Sequence, residues 1–223
     1  MKNPLADPGI IGISSGASFM AVIVTALFPL LYNFTPLFAC IGGCGACALV
    51  YLLSWKSGLS PLRLILVGVA VNTMFTGLMN AFNSGTGSNY SGVASIVSAN
   101  ITQKTWSDFK LLVCYAVVGL ILSLCVTKYC NLLSLEDKTV RSLGVNVTTI
   151  RLIISFIACL LASISTAVIG PISFLGLIVP HIARLLIGSN HAVLMPYTMI
   201  LGAFTFLLAD TGGRTICYPY EIN

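Results

Sequence analysis

The chain has 223 residues, of which 57% are hydrophobic and only 8% charged. A soluble domain is about 25% charged, so a soluble enzyme or receptor domain is excluded. The net charge of +5 comes without a basic cluster interleaved with aromatics, which excludes a nucleic-acid binder and leaves the basic loops that orient membrane proteins.

Seven apolar runs fill the chain, and they predict an all-α, polytopic transmembrane bundle of about seven spans, because a spanning helix needs about 20 mostly apolar residues. Run one covers residues 10–31 and run two residues 36–55. A basic, turn-rich connector, 56–63, leads to run three at 64–82. A polar stretch rich in Ser, Gly and Asn follows at 83–104, with a weakly apolar centre at 93–97 that predicts a short helix. Run four is 106–133. A charged connector, 136–146, separates it from run five at 149–169. Gly170-Pro171 makes a break, run six is short (172–187) and contains Pro180, and run seven is 193–210.

Seven crossings put alternate loops on one side. Lys2, Lys56, Arg63, Lys128, Lys138, Arg141, Arg151 and Arg184 fall on the first side; Lys104, Lys110 and Arg214 fall on the other. The excess places the first side, with the amino terminus, in the cytoplasm. The carboxyl terminus and the 83–104 stretch are then outside.

Several motifs invite a chemical reading that their setting denies. Gly12-Ile13-Ser14-Ser15-Gly16 has the spacing of a nucleophile elbow, which needs a strand before it and His and Asp in reach; here it opens a membrane run. Cys40, Cys44 and Cys47 have a cluster-like spacing, but at i, i+4 and i+7 of an apolar helix they form one packed face, and apolar burial opposes thiolate formation. The eight cysteines are small hydrophobes rather than a disulfide framework. His181, after Pro180, has no second ligand at metal-site spacing, so no metal site is expected. Gly12 with Gly16, and Gly43 with Cys47, suit close helix packing in lipid. Asn72 and Asn80 lie two turns apart and roughly on one side of run three, where a buried amide faces another helix or a water-filled path. No acidic residue sits in the middle of any run, which argues against an ion-coupled carrier and for an external energy source.

Six segments taken in order resemble the permease subunits of ABC importers for iron–siderophore, heme and vitamin B12, the FecCD-like family. They are residues 2–9, 12–17, 63–70, 135–145, 170–184 and 207–214, of which Gly170-Pro171-Ile172-Ser173-Phe174-Leu175-Gly176 through Pro180-His181-Ile182-Ala183-Arg184 is the most specific. The resemblance covers the whole chain as one permease domain, 1–223. It implies a ten-helix subunit of which this chain carries the third to ninth, a partial domain with two helices before Met1 and one after Asn223.

The resemblance implies a multi-pass protein of a prokaryotic cytoplasmic membrane, surrounded by lipid. It would work with a second permease subunit, two ATP-binding subunits and an extracytoplasmic substrate-binding protein. This chain would be no enzyme and would bind no cofactor, with ATP and magnesium held by the partner subunits. The coupling loop that docks on the ATPase would span about 134–148, with Glu136, Asp137, Lys138, Arg141, Ser142, Leu143 and Gly144 at its centre and Val140 and Leu143 as apolar anchors. Pro180, His181 and Arg184 would make a second cytoplasmic contact. The external gate region would be about 80–104, with Asn72, Asn80, Asn83, Ser84 and Gly85 lining the path or gate, and Arg214 would dock the binding protein. A secondary carrier or channel without an ATPase, and an inert truncated fragment, are the alternative readings.

Overall fold

The computed structural model describes residues 12–54, 61–85, 93, 96–97, 99, 101, 104–135, 137–142, 144–172 and 174–216, and no strand occurs among them. Helix α1, Ile13–Leu27, starts from Gly12, whose φ of 81° is left-handed, a conformation glycine adopts without steric cost. It stops before Pro29, and the chain turns through a 3₁₀ segment, Pro29–Phe34, into α2, Thr35–Ser54. Helix α3, Pro61–Gly85, opens on a proline, whose missing N–H costs nothing in a first turn. Helix α4, Trp106–Cys125, carries a capping box: Thr105 and Asp108 exchange backbone and side-chain hydrogen bonds.

The run expected at 106–133 divides at Val126 into α4 and a short α5, Thr127–Leu133. At the break the Ser123 and Thr127 hydroxyls donate to the carbonyls of Leu120 and Leu124 at 2.8 and 2.7 Å, competing with the helical ladder. The charged connector holds a helix of its own, α6, Asp137–Ser142. Gly144 follows it with φ of 76°, and its N–H donates to the Arg141 carbonyl, a left-handed stop. Asn146 caps α7, Val147–Ile169, by accepting from the N–H groups of Thr148 and Thr149. Helices α8, Leu175–Ile187, and α9, His191–Ile216, form a hairpin around Gly188.

Among the described residues, five helices can cross a membrane by length and apolarity, α2 (with the 3₁₀ turn), α3, α4, α7 and α9. The other two of the seven expected crossings are shorter: α1 has 15 residues and α8 has 13. At 1.5 Å per residue these reach only about 20 Å, against about 30 Å of hydrocarbon. Pro29 cuts α1 short; α8 is bounded by Phe174, left-handed at φ 66°, and by Gly188 at φ 81°.

Helices α1 and α2 make the most extensive contact, α3 packs on both, and α7 lies against α1, α2 and α4. Small residues allow the approach. A Cβ added at Gly16 would stand 2.5 Å from the Ala46 Cβ, and one at Gly43 would stand 2.4 Å from the Ser163 Oγ. Beside this crossing the sulfurs of Cys44 (α2) and Cys159 (α7) are 3.5 Å apart. A membrane-permeant oxidant acting on the folded protein is therefore expected to join Cys44 to Cys159, two thiols losing two protons and two electrons, and to leave exposed Cys114 and Cys125 unlinked to either. Mass spectrometry of non-reduced peptides checks it; a Cys114 or Cys125 linkage in its place would contradict the α2–α7 packing.

The chain alternates direction, so the bundle has two ends. At the upper end Ala26, Ala39, Met79 and Ala167 share a cluster with Val93 and Ile96, which are 1% and 4% exposed. The short helix expected at 93–97 is thus seated in the bundle, and the described residues 93, 96 and 97 are helical. Gly170 (φ 99°) closes against it: a Cβ there would meet the Ile96 carbonyl at 2.6 Å and the Ala99 Cα at 2.8 Å. Tyr32 donates to Asp108, and the Tyr115 hydroxyl donates to the Asn33 carbonyl at 3.0 Å, binding the 3₁₀ turn to α4. A lower cluster of Ala46, Val50 and Val71 fills the other half.

Candidate translocation and coupling sites

The expected gate residues divide on α3. Val71 and Met79 are buried, Asn72 and Asn83 are half-buried, and Asn80, Ser84 and Gly85 are exposed. At about 100° per residue, Asn72 and Asn83 lie within about 20° of each other on the packed side, while Asn80 is turned to its rim. Asn72 runs beside the start of α1, where a Cβ on Gly12 would be 3.6 Å from the Asn72 backbone nitrogen. Its carbonyl accepts from the Thr76 hydroxyl at 2.8 Å. The structure therefore brings Asn72 and Asn83 into the bundle and leaves Asn80, Ser84 and Gly85 on an open face. Most of the expected gate region, 86–92 and parts of 94–103, lies outside the described residues. Lys104 stands half-buried at the same end, and burial pushes its ammonium below the usual lysine range.

At the top of α9, Arg214 is already paired. Its Nε donates to both Asp210 carboxylate oxygens, at 3.1 and 3.0 Å, one turn back on the same helix. Both groups stay partly open to solvent, where such a pair contributes only about 0.3–0.5 kcal/mol, so the guanidinium remains available to an outside carboxylate.

At the lower end, α6 carries the centre of the expected coupling loop. Glu136 and Leu143 lie outside the described residues; Asp137 and Lys138 fall in the first turn of α6. Arg141 and Ser142 are exposed, as is Gly144. The Ser142 hydroxyl donates to the Thr139 carbonyl at 2.8 Å. Val140, expected as an apolar anchor for a partner, is instead 0% exposed; α6 packs on α5 and α7, and Val140 is consumed in holding it there. Pro180 is half-buried within α8, and His181 and Arg184 are exposed. Arg63, Lys128, Arg141, Arg151 and Arg184 all belong to this lower end, and Lys104, Lys110 and Arg214 to the upper. Among the described residues no three His, Cys, Asp or Glu side chains gather as a metal site.

Comparison with known proteins fixes the family. The FecCD transport family matches residues 1–223, the whole chain. The chain belongs to the FecCD transport family. Its relatives include the heme-iron transport system permease protein IsdF of Staphylococcus aureus strain Newman and that of strain Mu3. Each is 37% identical over 222 residues, covering 100% of this chain and 67% of the relative. A solved structure of a metal-chelate type ABC transporter in an inward-facing conformation superposes with a TM-score of 0.81 at 29% identity, covering 99% of this chain and 72% of that one. This FecCD chain is therefore an integral membrane protein with an ABC-permease fold, and the all-helical reading stands.

Two contacts of the FecCD chain were not foreseen from the sequence, and one expected anchor has another role. Asn131 and Asn190 are far apart in sequence and meet at the foot of the α8–α9 hairpin. Cys44 and Cys159 meet across α2 and α7. Val140 turns inward. For Asn190 a signal existed: an asparagine just before a long apolar run is a helix-cap pattern.

Proposed function

We propose that this chain is the membrane-spanning permease subunit of an ABC importer that moves an iron chelate or cobalamin, with heme the first candidate and ferric siderophores and cobalamin after it. Separate ATP-binding subunits would drive it, holding ATP and magnesium, beside a second permease subunit and an extracytoplasmic binding protein. The observation that carries this is the match of the whole chain to 67% of the length of heme-iron permeases at 37% identity, joined to the fold of a metal-chelate transporter. The placement of charge supports it: the basic lower end suits the cytoplasm, and α6 there offers Arg141 and Ser142 to a partner. The described acidic residues lie at helix ends, Asp108 in the first turn of α4, Asp137 at the start of α6 and Asp210 near the end of α9, away from the midplane position an ion-coupled carrier uses.

The test is uptake of heme, a ferric siderophore and cobalamin into vesicles holding the chain with candidate ATPase and binding-protein partners. Accumulation of at least one chelate that needs ATP hydrolysis is the expected result. Accumulation that proceeds without ATP and collapses with an ionophore would establish the secondary-carrier reading instead.

A further inference from the structure

The α8–α9 hairpin is fastened to the bundle by a polar cluster that the transport reading leaves without a task. Asn131, on α5, donates through Nδ2 to the Asn190 Oδ1 at 2.9 Å. Its own Oδ1 accepts from the His191 backbone N–H at 2.8 Å and lies 2.9 Å from His191 Nδ1. Asn190 Oδ1 also accepts from the Ala192 N–H at 3.1 Å. The backbone donors settle both amide orientations, because the atom that receives an N–H must be oxygen. The proton of a neutral His191 is thereby assigned to Nδ1, which donates to Asn131. The first N–H groups of α9, which no turn of the helix itself can satisfy, are met partly from another helix.

The placement of the cluster matters more than its strength. Helix α8 packs on α9, and α9 reaches the rest of the bundle through α5 and the neighbouring part of α4; α5 in turn packs on α6. The seven-residue α5 thus touches both the helix at the centre of the coupling loop and the hairpin. Apolar faces in lipid have no hydrophobic drive holding them in register, whereas directed hydrogen bonds in a half-buried site do. Three such bonds from one side chain, Asn131, tie α5 to the first residues of α9.

We propose that Asn131, Asn190 and His191 form a joint that makes the α8–α9 hairpin follow α6, with Asn131 its positioning residue. A displacement of α6 passes through α5 to the base of α9 and swings the hairpin as one body. Asp210 and Arg214, on the same helix and about 30 Å above the joint at 1.5 Å per residue, move with it. The proposal rests on the importer reading for the force that moves α6.

The joint is tested in the complete transporter, reconstituted with its ATPases, by Asn131→Leu, His191→Leu and His191→Asn. Asn131→Leu removes both acceptor and donor; His191→Leu removes the ring donor; His191→Asn keeps an N–H donor near the Nδ1 position. Uptake per ATP hydrolysed is expected to fall about tenfold in the two leucine variants, with assembly and ATP hydrolysis retained, and to recover within about threefold in His191→Asn. Unchanged uptake per ATP in Asn131→Leu, or loss of assembly in step with uptake, overturns the joint. If the wild-type complex shows no ATP-driven uptake, the importer reading fails, and amide exchange still decides the joint. Asn131→Leu must then speed exchange at residues 191–194 and in α6 together; faster exchange at 191–194 alone, or at neither, overturns it. The ¹⁵N signals of His191 add a direct check: a proton on Nε2 with Nδ1 bare contradicts the assigned bonds.

Discussion

Gly42→Ala is expected to strip most of the folded protein from the membrane, while Gly45→Ala, three residues on in the same helix, leaves it untouched. A Cβ at residue 42 would lie 2.4 Å from the Gly16 carbonyl oxygen and 2.4 Å from the Met20 Cγ. The Met20 Cγ can rotate away, but the Met20 Cβ, 2.8 Å from the added carbon, is fixed to the backbone. The carbonyl belongs to the backbone of α1 and retreats only if the helix does. From the other side, a Cβ at Gly16 would meet the Gly42 carbonyl oxygen at 2.7 Å, so each glycine is the space the other needs. Overpacking a core costs about 1–3 kcal/mol, and a collision between two backbones belongs at the top of that range or above. The loss is severe here because packing, not hydrophobic drive, holds helices together in lipid, and α1–α2 is the most extensive contact in the described bundle. At Gly45 an added Cβ meets nothing within 4 Å, and alanine gains helix propensity over glycine. Size-exclusion profiles of detergent-solubilised protein after graded heating report both. A Gly42→Ala midpoint equal to wild type would show that α1 and α2 do not approach this closely. Gly16→Ala acts on the same contact, so the double variant should cost less than the sum of the two.

The glycines also show what was legible in the sequence and what was not. Small residues at one-turn spacing announced close packing, but the partner of Gly16 could equally have been any of the other six runs; that it is Gly42 and Ala46 is a tertiary fact. Helix boundaries followed local chemistry wherever a cap was strong, as at Thr105 with Asp108 and at Asn146. They were misplaced where the signal was spread over the ladder, as at Ser123 and Thr127, whose hydroxyls divide an otherwise unbroken apolar run. On α3 the polar positions were plain, but which of them turn inward depends on where α1 lies: Asn72 and Asn83 share its packed side and Asn80 does not. Exposed charge at the lower end could be read from composition. The inward turn of Val140 could not, because in a six-residue helix one apolar residue serves equally as an anchor for a partner or for the chain's own core.

That choice sets up the second large effect. Arg141→Glu is expected to lower ATP-driven uptake tenfold or more while the chain stays abundant in the membrane, and Val140→Asp is expected to remove the chain itself. Val140 is 0% exposed, held where α6 meets α5 and α7, and a carboxylate there would be buried without a partner, among the most destabilising of single changes. Arg141 is exposed on the same helix. Reversing its charge leaves folding alone but opposes any partner surface shaped to a cation, and like-charge contact at an interface costs several kcal/mol. Immunoblotting of membranes measures abundance, and vesicle uptake with hydrolysis measured alongside separates docking from transport. Wild-type uptake in Arg141→Glu would remove α6 from the ATPase interface of the proposed importer. Normal abundance of Val140→Asp would mean that Val140 faces outward after all, restoring it as the partner's anchor. The two substitutions sit one residue apart, so opposite outcomes can arise only if α6 has an inner face that belongs to this chain and an outer face that belongs to something else.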